Sequence, residues 1–281
     1  MAARRLAGVV ASLIAPALLG CGRGARVPDT SVPRSAPLRV LVYNIHAGKD
    51  AAGNDNLERV AALIRDRQVD VALLQEVDVN TERSGRLDQP AALARLTGLA
   101  AAFGKTLDYQ GGQYGVAVLS RFPVERDTVV SLPVDPPQER AGGSHEPRGV
   151  LHVELRAPGG RLHVLDTHLD PSADDRWRRQ EAARVGLLAA SIAAGTPRVL
   201  LGGDFNATPE SAPIGLVTAV PLRDGWRVCA GAGDGSSYPA AAPVKRIDYL
   251  FLPPPVICQS AEVIASDASD HRPVLFTVVV P

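Results

Sequence analysis

The sequence predicts an α/β fold of packed mixed β-sheets with helices on the outside, and three observations carry that prediction. The first apolar run is hydrophobic on both faces: Leu38, Val40 and Val42 alternate with Leu41, Tyr43 and Ile45, as in a strand buried on both sides. Strand-like runs outnumber helical ones. Two of them, 149–157 and 161–168, flank Pro158, Gly159 and Gly160 in a hairpin-like pattern. Composition admits a single large core, because 281 residues with 46% hydrophobic and 21% charged side chains exclude a disordered chain, a polytopic membrane protein, a coiled coil and a collagen-like rod. Thirty basic and thirty acidic residues cancel, and no basic block stands out, which argues against tight non-specific duplex binding.

The chain starts with Arg4 and Arg5 ahead of an apolar run over 6–19 that is shorter than the roughly 20 residues of a membrane span and is interrupted by Pro16. This pattern predicts a signal peptide over 1–20. Its end, Leu18, Leu19, Gly20 and Cys21, resembles the bacterial lipobox, in which the cysteine is lipidated and becomes the first mature residue. The competing reading is an ordinary secretory signal with a chance cysteine. Residues 21–37 then form a lipidated Cys21 and a tether carrying Pro28, Pro33 and Pro37, and the folded domain occupies 38–281. The expected location is the cell envelope, lipid-anchored to the membrane, or secreted if Cys21 is not acylated. Of the remaining cysteines, Cys229 and Cys258 either pair, as an oxidising envelope permits, or are two small buried hydrophobes.

Within the domain, Leu57, Val60, Ala61 and Ile64 recur at helical spacing behind Asp55 and Asn56, either of which could cap the helix. A second buried strand reads over 69–74. Further strands are expected at 115–120, 149–157, 161–168, 198–203, 246–252 and 273–280, with helices at 90–97 and 174–194. No internal repeat or second linker divides the chain. Polar residues close several of the apolar runs: Asn44 the first, Glu76 just past the second, His168 a third, and Asp204 and Asn206 after 199–201. In α/β sheets the carboxyl ends of strands are where ligand-binding residues gather. Taken singly, each of these is more often a solvated loop residue or a helix cap.

Taken together they form a recognisable set. VYNIH at 42–46, LQEV at 74–77, DTHL at 166–169, GGDFN at 202–206, RIDYL at 246–250 and SDHRP at 269–273 resemble, in order, the motifs of the endonuclease/exonuclease/phosphatase superfamily. The resemblance covers 38–281 and implies a four-layer α/β/β/α sandwich of two packed mixed sheets with outer helices, like DNase I. It also implies a divalent-metal-dependent phosphoester hydrolase. The residue types agree independently: Asn44, Glu76, Asp204, Asn206 and Asp270 offer oxygen donors, which suit hard cations such as Mg²⁺ or Mn²⁺. Zinc is disfavoured, since the six histidines are dispersed and neither C-x-x-C nor H-E-x-x-H occurs.

By resemblance, Glu76 is the principal metal ligand, supported by Asn44 and completed by Asp270. Asp204 and Asn206 position the attacking water and a phosphate oxygen, with His271 or Asp204 as base. Asp248 holds the His271 tautomer, and His168 assists the transition state or the leaving group. Arg148 approaches the phosphate, against the alternative of a surface ion-pairing arginine. His46 shares the Asn44 face without an assigned role. Two departures stand out. Val116, in GQYGVAVLSR over 112–121, replaces an asparagine common among relatives, and no glutamate in that stretch is evident to pair with His168.

Three readings compete for the substrate of what is expected to be a monomer. One is an envelope phosphodiesterase or phosphatase acting on a lipid headgroup or another small phosphoester. The second is a secreted nuclease, with Arg176, Arg178 and Arg179 around Trp177 approaching a phosphate backbone, against a solvated first helical turn. Nucleic acid is the less favoured partner. The third is a non-catalytic binding lipoprotein on the same scaffold, which retention of every ligand and both imidazoles argues against. The loop over 131–147 carries no aromatic residue, so it offers no membrane-inserting wedge.

Overall fold

The computed structural model describes residues 36–137, 146–229 and 231–281. The expected signal peptide, Cys21 and all but the last two residues of the tether lie outside the described residues, as does most of the second half of the 131–147 loop. The described residues belong to one compact unit.

Twelve described strands and five helices follow in chain order: β1 (Leu38–Asn44), α1 (Leu57–Asp66), β2 (Val71–Val79), α2 (Gln89–Thr97), β3 (Ala100–Tyr109), β4 (Gly112–Ser120), β5 (Val124–Ser131), β6 (Gly149–Ala157), β7 (Gly160–His168), α3 (Arg176–Gly195), β8 (Val199–Asp204), α4 (Ala212–Thr218), β9 (Arg223–Asp224), α5 (Gly225–Val228), β10 (Asp248–Leu252), β11 (Ile257–Val263) and β12 (Val274–Val279). They make two six-stranded sheets, ordered β11-β12-β1-β2-β4-β3 and β5-β6-β7-β8-β10-β9. In each sheet a single central pair is parallel, β1 with β2 and β7 with β8, and the other pairs are antiparallel. The sheets are therefore mixed, as predicted.

Three apolar layers explain why the sheets stack. Val40, Val42, Leu73 and Val118 from the first sheet meet Leu151, Val153, Val164 and Leu250 from the second, filling the space between them. The opposite face of the first sheet, with Leu41, Tyr43 and Leu74, buries the Val60, Ala61, Ile64 and Leu93 faces of α1 and α2. Leu165, Leu201 and Phe251 on the outer face of the second sheet pack Ala182, Val185 and Ala189 of α3 and Ile214 and Val217 of α4. Helix, sheet, sheet and helix thus alternate, and the both-face burial of β1 follows from its central place.

Each expected strand and helix is present, β3, β5, β9, β11, α4 and α5 occur in addition, and one capping signal differs. Asn56 stands at the N-cap of α1 but makes no capping bond; its amide donates instead to the carbonyls of Ile45 and Ala268, tying the turn after β1 to the segment before β12. Cys229 and Cys258 are joined in a disulfide. It links the end of α5, beside the second sheet, to edge strand β11 of the first.

Candidate active site

The residues singled out in the sequence converge at one end of the sandwich, around a cleft of about 980 Å³ lined by Glu76, Arg148, His168, Asp204, Asn206, Asp270 and His271. The two sheets share the work. Asn44 ends β1 and Glu76 lies in β2 of the first sheet, and Asp270 and His271 stand on the loop that leads into its β12; His168 ends β7, Asp204 ends β8 and Asp248 begins β10 in the second.

Backbone irregularity aims several of these side chains. The pairing of β2 with β4 slips between Leu74 and Val77, a bulge that breaks strict alternation and turns Glu76 toward the cleft. Gln75 points between the sheets, where its amide donates to Asp166 at 2.6 Å. Glu76, Asn206 and His46 hold positive φ angles of 55°, 48° and 50°. Non-glycine residues adopt this region at a cost that folds retain mainly at functional sites. Gly202 lets the sheets approach, because a Cβ there would stand 3.0 Å from Leu73 Cδ2 and 3.2 Å from Val42 Cγ2 of the facing sheet, besides meeting the Tyr249 carbonyl oxygen of the neighbouring strand at 2.9 Å.

Asn44 sits at the centre. Its amide donates to Glu76 Oε1 and to Asp204 Oδ2, each at 3.1 Å, while its Oδ1 accepts from the backbone N–H of His46. In this arrangement Asn44 braces the two carboxylates and spends its own oxygen on the backbone. Ser269 Oγ donates to the Asn44 carbonyl, fixing the Asp270–His271 turn against the end of β1.

Asp248, His271 and Asp204 form a buried chain across the gap between the sheets. His271 Nδ1 donates to Asp248 Oδ2 at 3.0 Å, and its Nε2 lies 3.6 Å from Asp204 Oδ2. Ser237 Oγ donates to the same Asp248 oxygen. Burial disfavours a charged His271, but the Asp248 and Asp204 carboxylates outweigh it and raise the imidazole to about 10. Burial pushes Asp204 up to about 7, with His271 pulling against it. Ligand atoms of these three residues lie within 4.8 Å of one another, a grouping that distance alone would allow a metal. A protonated imidazole cannot ligate, so the trio is better described as a proton-holding chain.

His168 faces this chain from β7. Its Nε2 accepts from the Asn206 amide at 3.0 Å and stands 3.7 Å from Asp204 Oδ2; that amide also donates to the Leu169 carbonyl. Nδ1 faces the Tyr114 hydroxyl at 3.4 Å. The missing glutamate is thus replaced on this side by a tyrosine, a residue within the quoted 112–121 stretch that sequence reasoning passed over.

Arg148 is buried rather than a surface residue, and it lines the cleft with its Nη2 on Glu146 at 2.9 Å. Its Nε has no hydrogen-bond partner among the described residues. Arg178 corrects the expectation of a solvated helical turn: it is buried, reaches the cleft, and donates to the carbonyls of Asp170 and Ser172, while Arg176 and Arg179 are exposed. Tyr238, whose ring lies 4.8 Å from that of His271, and Arg83, held by two bonds to Asp78, complete the walls. His46 Nδ1 comes within 4.0 Å of Asp270 Oδ1.

The donor set fits a hard divalent cation. Glu76 and Asp270 are half-exposed carboxylates on the cleft wall, and Asp204 stands behind them on the Asn44 amide. Such a group of carboxylates repels itself unless a cation is present.

The profile of the Endonuclease/Exonuclease/phosphatase family matches residues 41–271. The uncharacterized protein YbhP of Escherichia coli strain K12 is 27% identical over 224 residues, covering 76% of this chain and 84% of that protein. Among solved structures, an endonuclease/exonuclease/phosphatase of Beutenbergia cavernae DSM 12333 superposes with a TM-score of 0.66 at 25% identity, over 87% of this chain and 72% of the other. The mannosyl-6-phosphatase of Bacteroides thetaiotaomicron VPI-5482 does so with a TM-score of 0.69 at 19% identity, over 86% and 99%, a likeness of fold.

Proposed function

The chain belongs to the endonuclease/exonuclease/phosphatase family, and from that premise we propose that it is a divalent-metal-dependent hydrolase of a small phosphoester, such as a lipid headgroup, working outside the cytoplasm. The observation that carries this reading is the position of Asp204, whose Oδ2 lies 3.6 Å from His271 and 3.7 Å from His168 in the same cleft as Glu76 and Asp270.

An imidazole held between two carboxylates keeps its proton, so His271 serves as a cationic donor beside the charge that develops on phosphorus. The proton of the attacking water then goes to Asp204, the carboxylate of the chain that lines the cleft. Asn206 and His168 flank the same point and suit a phosphoryl or leaving-group oxygen. Glu76 and Asp270, with Asp204 behind, would hold Mg²⁺ or Mn²⁺, which when bound offsets the charge of the phosphoryl group.

Charge supports a small substrate over a polynucleotide. Of the described cleft cations, Arg83 is engaged by Asp78, Arg148 by Glu146 and Arg178 by backbone carbonyls, which leaves the exposed Lys245 as a single point charge rather than a stripe along which a phosphate backbone could run. The disulfide supports an oxidising location, and an acylated Cys21 would keep the domain at the envelope membrane. A panel of phosphomonoesters, phosphodiesters and single-stranded DNA assayed with Mg²⁺ tests the reading. Activity should vanish in EDTA and return with Mg²⁺ or Mn²⁺, and Glu76→Ala should not recover. Full hydrolysis in EDTA would sink the mechanism, and preference for DNA would make it a nuclease. For the anchor, radiolabelled palmitate should enter wild type and not Cys21→Ala; equal labelling of both removes it.

A further inference from the structure

The five described histidines divide between two places. His168 and His271 line the cleft and His46 stands beside its Asp270; the other two, His152 and His163, meet on the outer face of the second sheet. Dispersed in the sequence, they are brought together by the antiparallel register of β6 and β7, which sets Glu154 opposite His163 and His152 opposite Leu165. With a period of two, His152, Glu154 and His163 emerge on one face. His152 Nε2 and His163 Nδ1 are 2.9 Å apart, and the ligand atoms of all three residues fall within 4.8 Å of one another.

We propose that His152, Glu154 and His163 form a binding site for a transition-metal dication of the zinc, nickel and copper class, separate from the catalytic cleft. Two nitrogens 2.9 Å apart subtend about 90° at a metal with bonds of about 2.1 Å, the angle between neighbouring ligands of an octahedron; opening by about half an ångström gives a tetrahedron. Two imidazoles and one carboxylate leave further positions for water. Imidazole donors select this class over Mg²⁺, which the cleft carboxylates prefer. Burial lowers both imidazoles below their ordinary value, against the opposing pull of the Glu154 carboxylate, with Arg126 adding to the effect on His152 and Arg161 to that on His163. Both rings are thereby kept neutral and able to donate a lone pair. In the metal-free pair one ring donates its N–H to the other. On binding, the donor ring shifts that proton to its other nitrogen and both rings stay neutral.

The surrounding charges permit the site. Arg161 bonds Glu154 at 3.1 Å but also reaches Glu125 at 3.2 Å. It can keep the second partner while Glu154 turns to a metal. Arg156 is already paired with Glu125. All three candidate ligands are partly exposed, which gives an ion a path from solvent.

Zinc titration of the chelator-stripped protein in excess Mg²⁺ tests the proposal. One equivalent should bind and persist against Mg²⁺. His152→Gln, His163→Gln and Glu154→Gln should each weaken it at least tenfold, with Mg²⁺-supported hydrolysis unchanged, and Glu76→Ala should retain it. Histidine NMR resonances follow location directly: zinc should shift those of His152 and His163 and leave those of His168 and His271 in place. Zinc displaced by Mg²⁺, lost in Glu76→Ala, or kept at full affinity in the His152→Gln/His163→Gln double variant would overturn it. Circular dichroism of the variants, which alter a partly exposed sheet face, separates lost binding from lost fold.

Discussion

Reducing the Cys229–Cys258 bond should cost the domain about 3.6 kcal/mol. The two residues are 29 positions apart, so reduction frees a loop of about 30 residues in the unfolded chain, worth about 12 cal/mol/K, or about 3.6 kcal/mol at 25 °C, in the chain-entropy account. At about 2–4 °C per kcal/mol for a domain of this size, the melting temperature should fall by about 7–15 °C. The bond also joins the two sheets near their edges, since Cys258 lies on β11 and Cys229 follows α5. Partial unfolding should therefore start there, with β11 losing amide protection ahead of β1. Calorimetry with and without a reductant, on wild type and on Cys229→Ala/Cys258→Ala, is the assay. The double variant should melt with the reduced wild type and ignore the reductant. If oxidised and reduced wild type melted within 2 °C of each other while mass spectrometry confirmed the two states, the reasoning would fail.

Replacing His271 by alanine should lower turnover by about 10²–10⁴; Asp248→Asn should lose activity with the fold retained, and a near wild-type rate in either variant removes the proton chain from the mechanism. Tyr114→Phe should cost about 2–12-fold in kcat with KM unchanged, the worth of one weak neutral hydrogen bond to His168, and an effect on KM alone would place the hydroxyl against substrate instead. Burial raises Glu181 from 4.5 to about 7, against the Asp170 N–H and Arg148. The native state therefore holds a proton that the unfolded chain releases between those values. This group's contribution to stability falls as pH rises through that window, by up to about 3 kcal/mol. Glu181→Gln should flatten the dependence of melting temperature on pH from 5 to 8, and equal slopes in the two proteins would refute the assignment.

What the sequence reveals of the fold follows burial. β1, β2, β4, β6, β7, β8, β10 and β12 were legible because each contributes apolar side chains to a sheet face in the core. The three long strands that were not, β3, β5 and β11, are edge strands. VERDTVVS in β5 and ICQSAEV in β11 are largely exposed and carry charges or polar groups where a core strand would alternate, as edges that resist further pairing do. The site was legible through six short motifs spread over the chain. Arg178 was misread because a charged residue in a first helical turn has the same letters whether it meets water or a neighbouring loop's carbonyls. Tyr114 went unnoticed because its role depends on β4 crossing beneath β7, a tertiary fact. The meeting of His152 with His163 depends on strand register, which no spacing rule in the sequence states.

The division of the cleft between the sheets makes catalysis sensitive to the thickness of the core. Glu76 and Asp270 ride on one sheet and Asp204 and Asp248 on the other, so the span from cation-holding carboxylates to proton acceptor is an intersheet dimension. Leu73, Val42 and Gly202 set that dimension by contact, and the buried Gln75–Asp166 bond crosses it just beneath the site. A methyl group added at residue 202, chemically silent and remote from any phosphate, would act as a wedge. The protein could remain folded and keep every reactive group while those groups no longer stood at reacting distance. Substitutions in this interior should then sort by the spacing they impose rather than by the stability they remove.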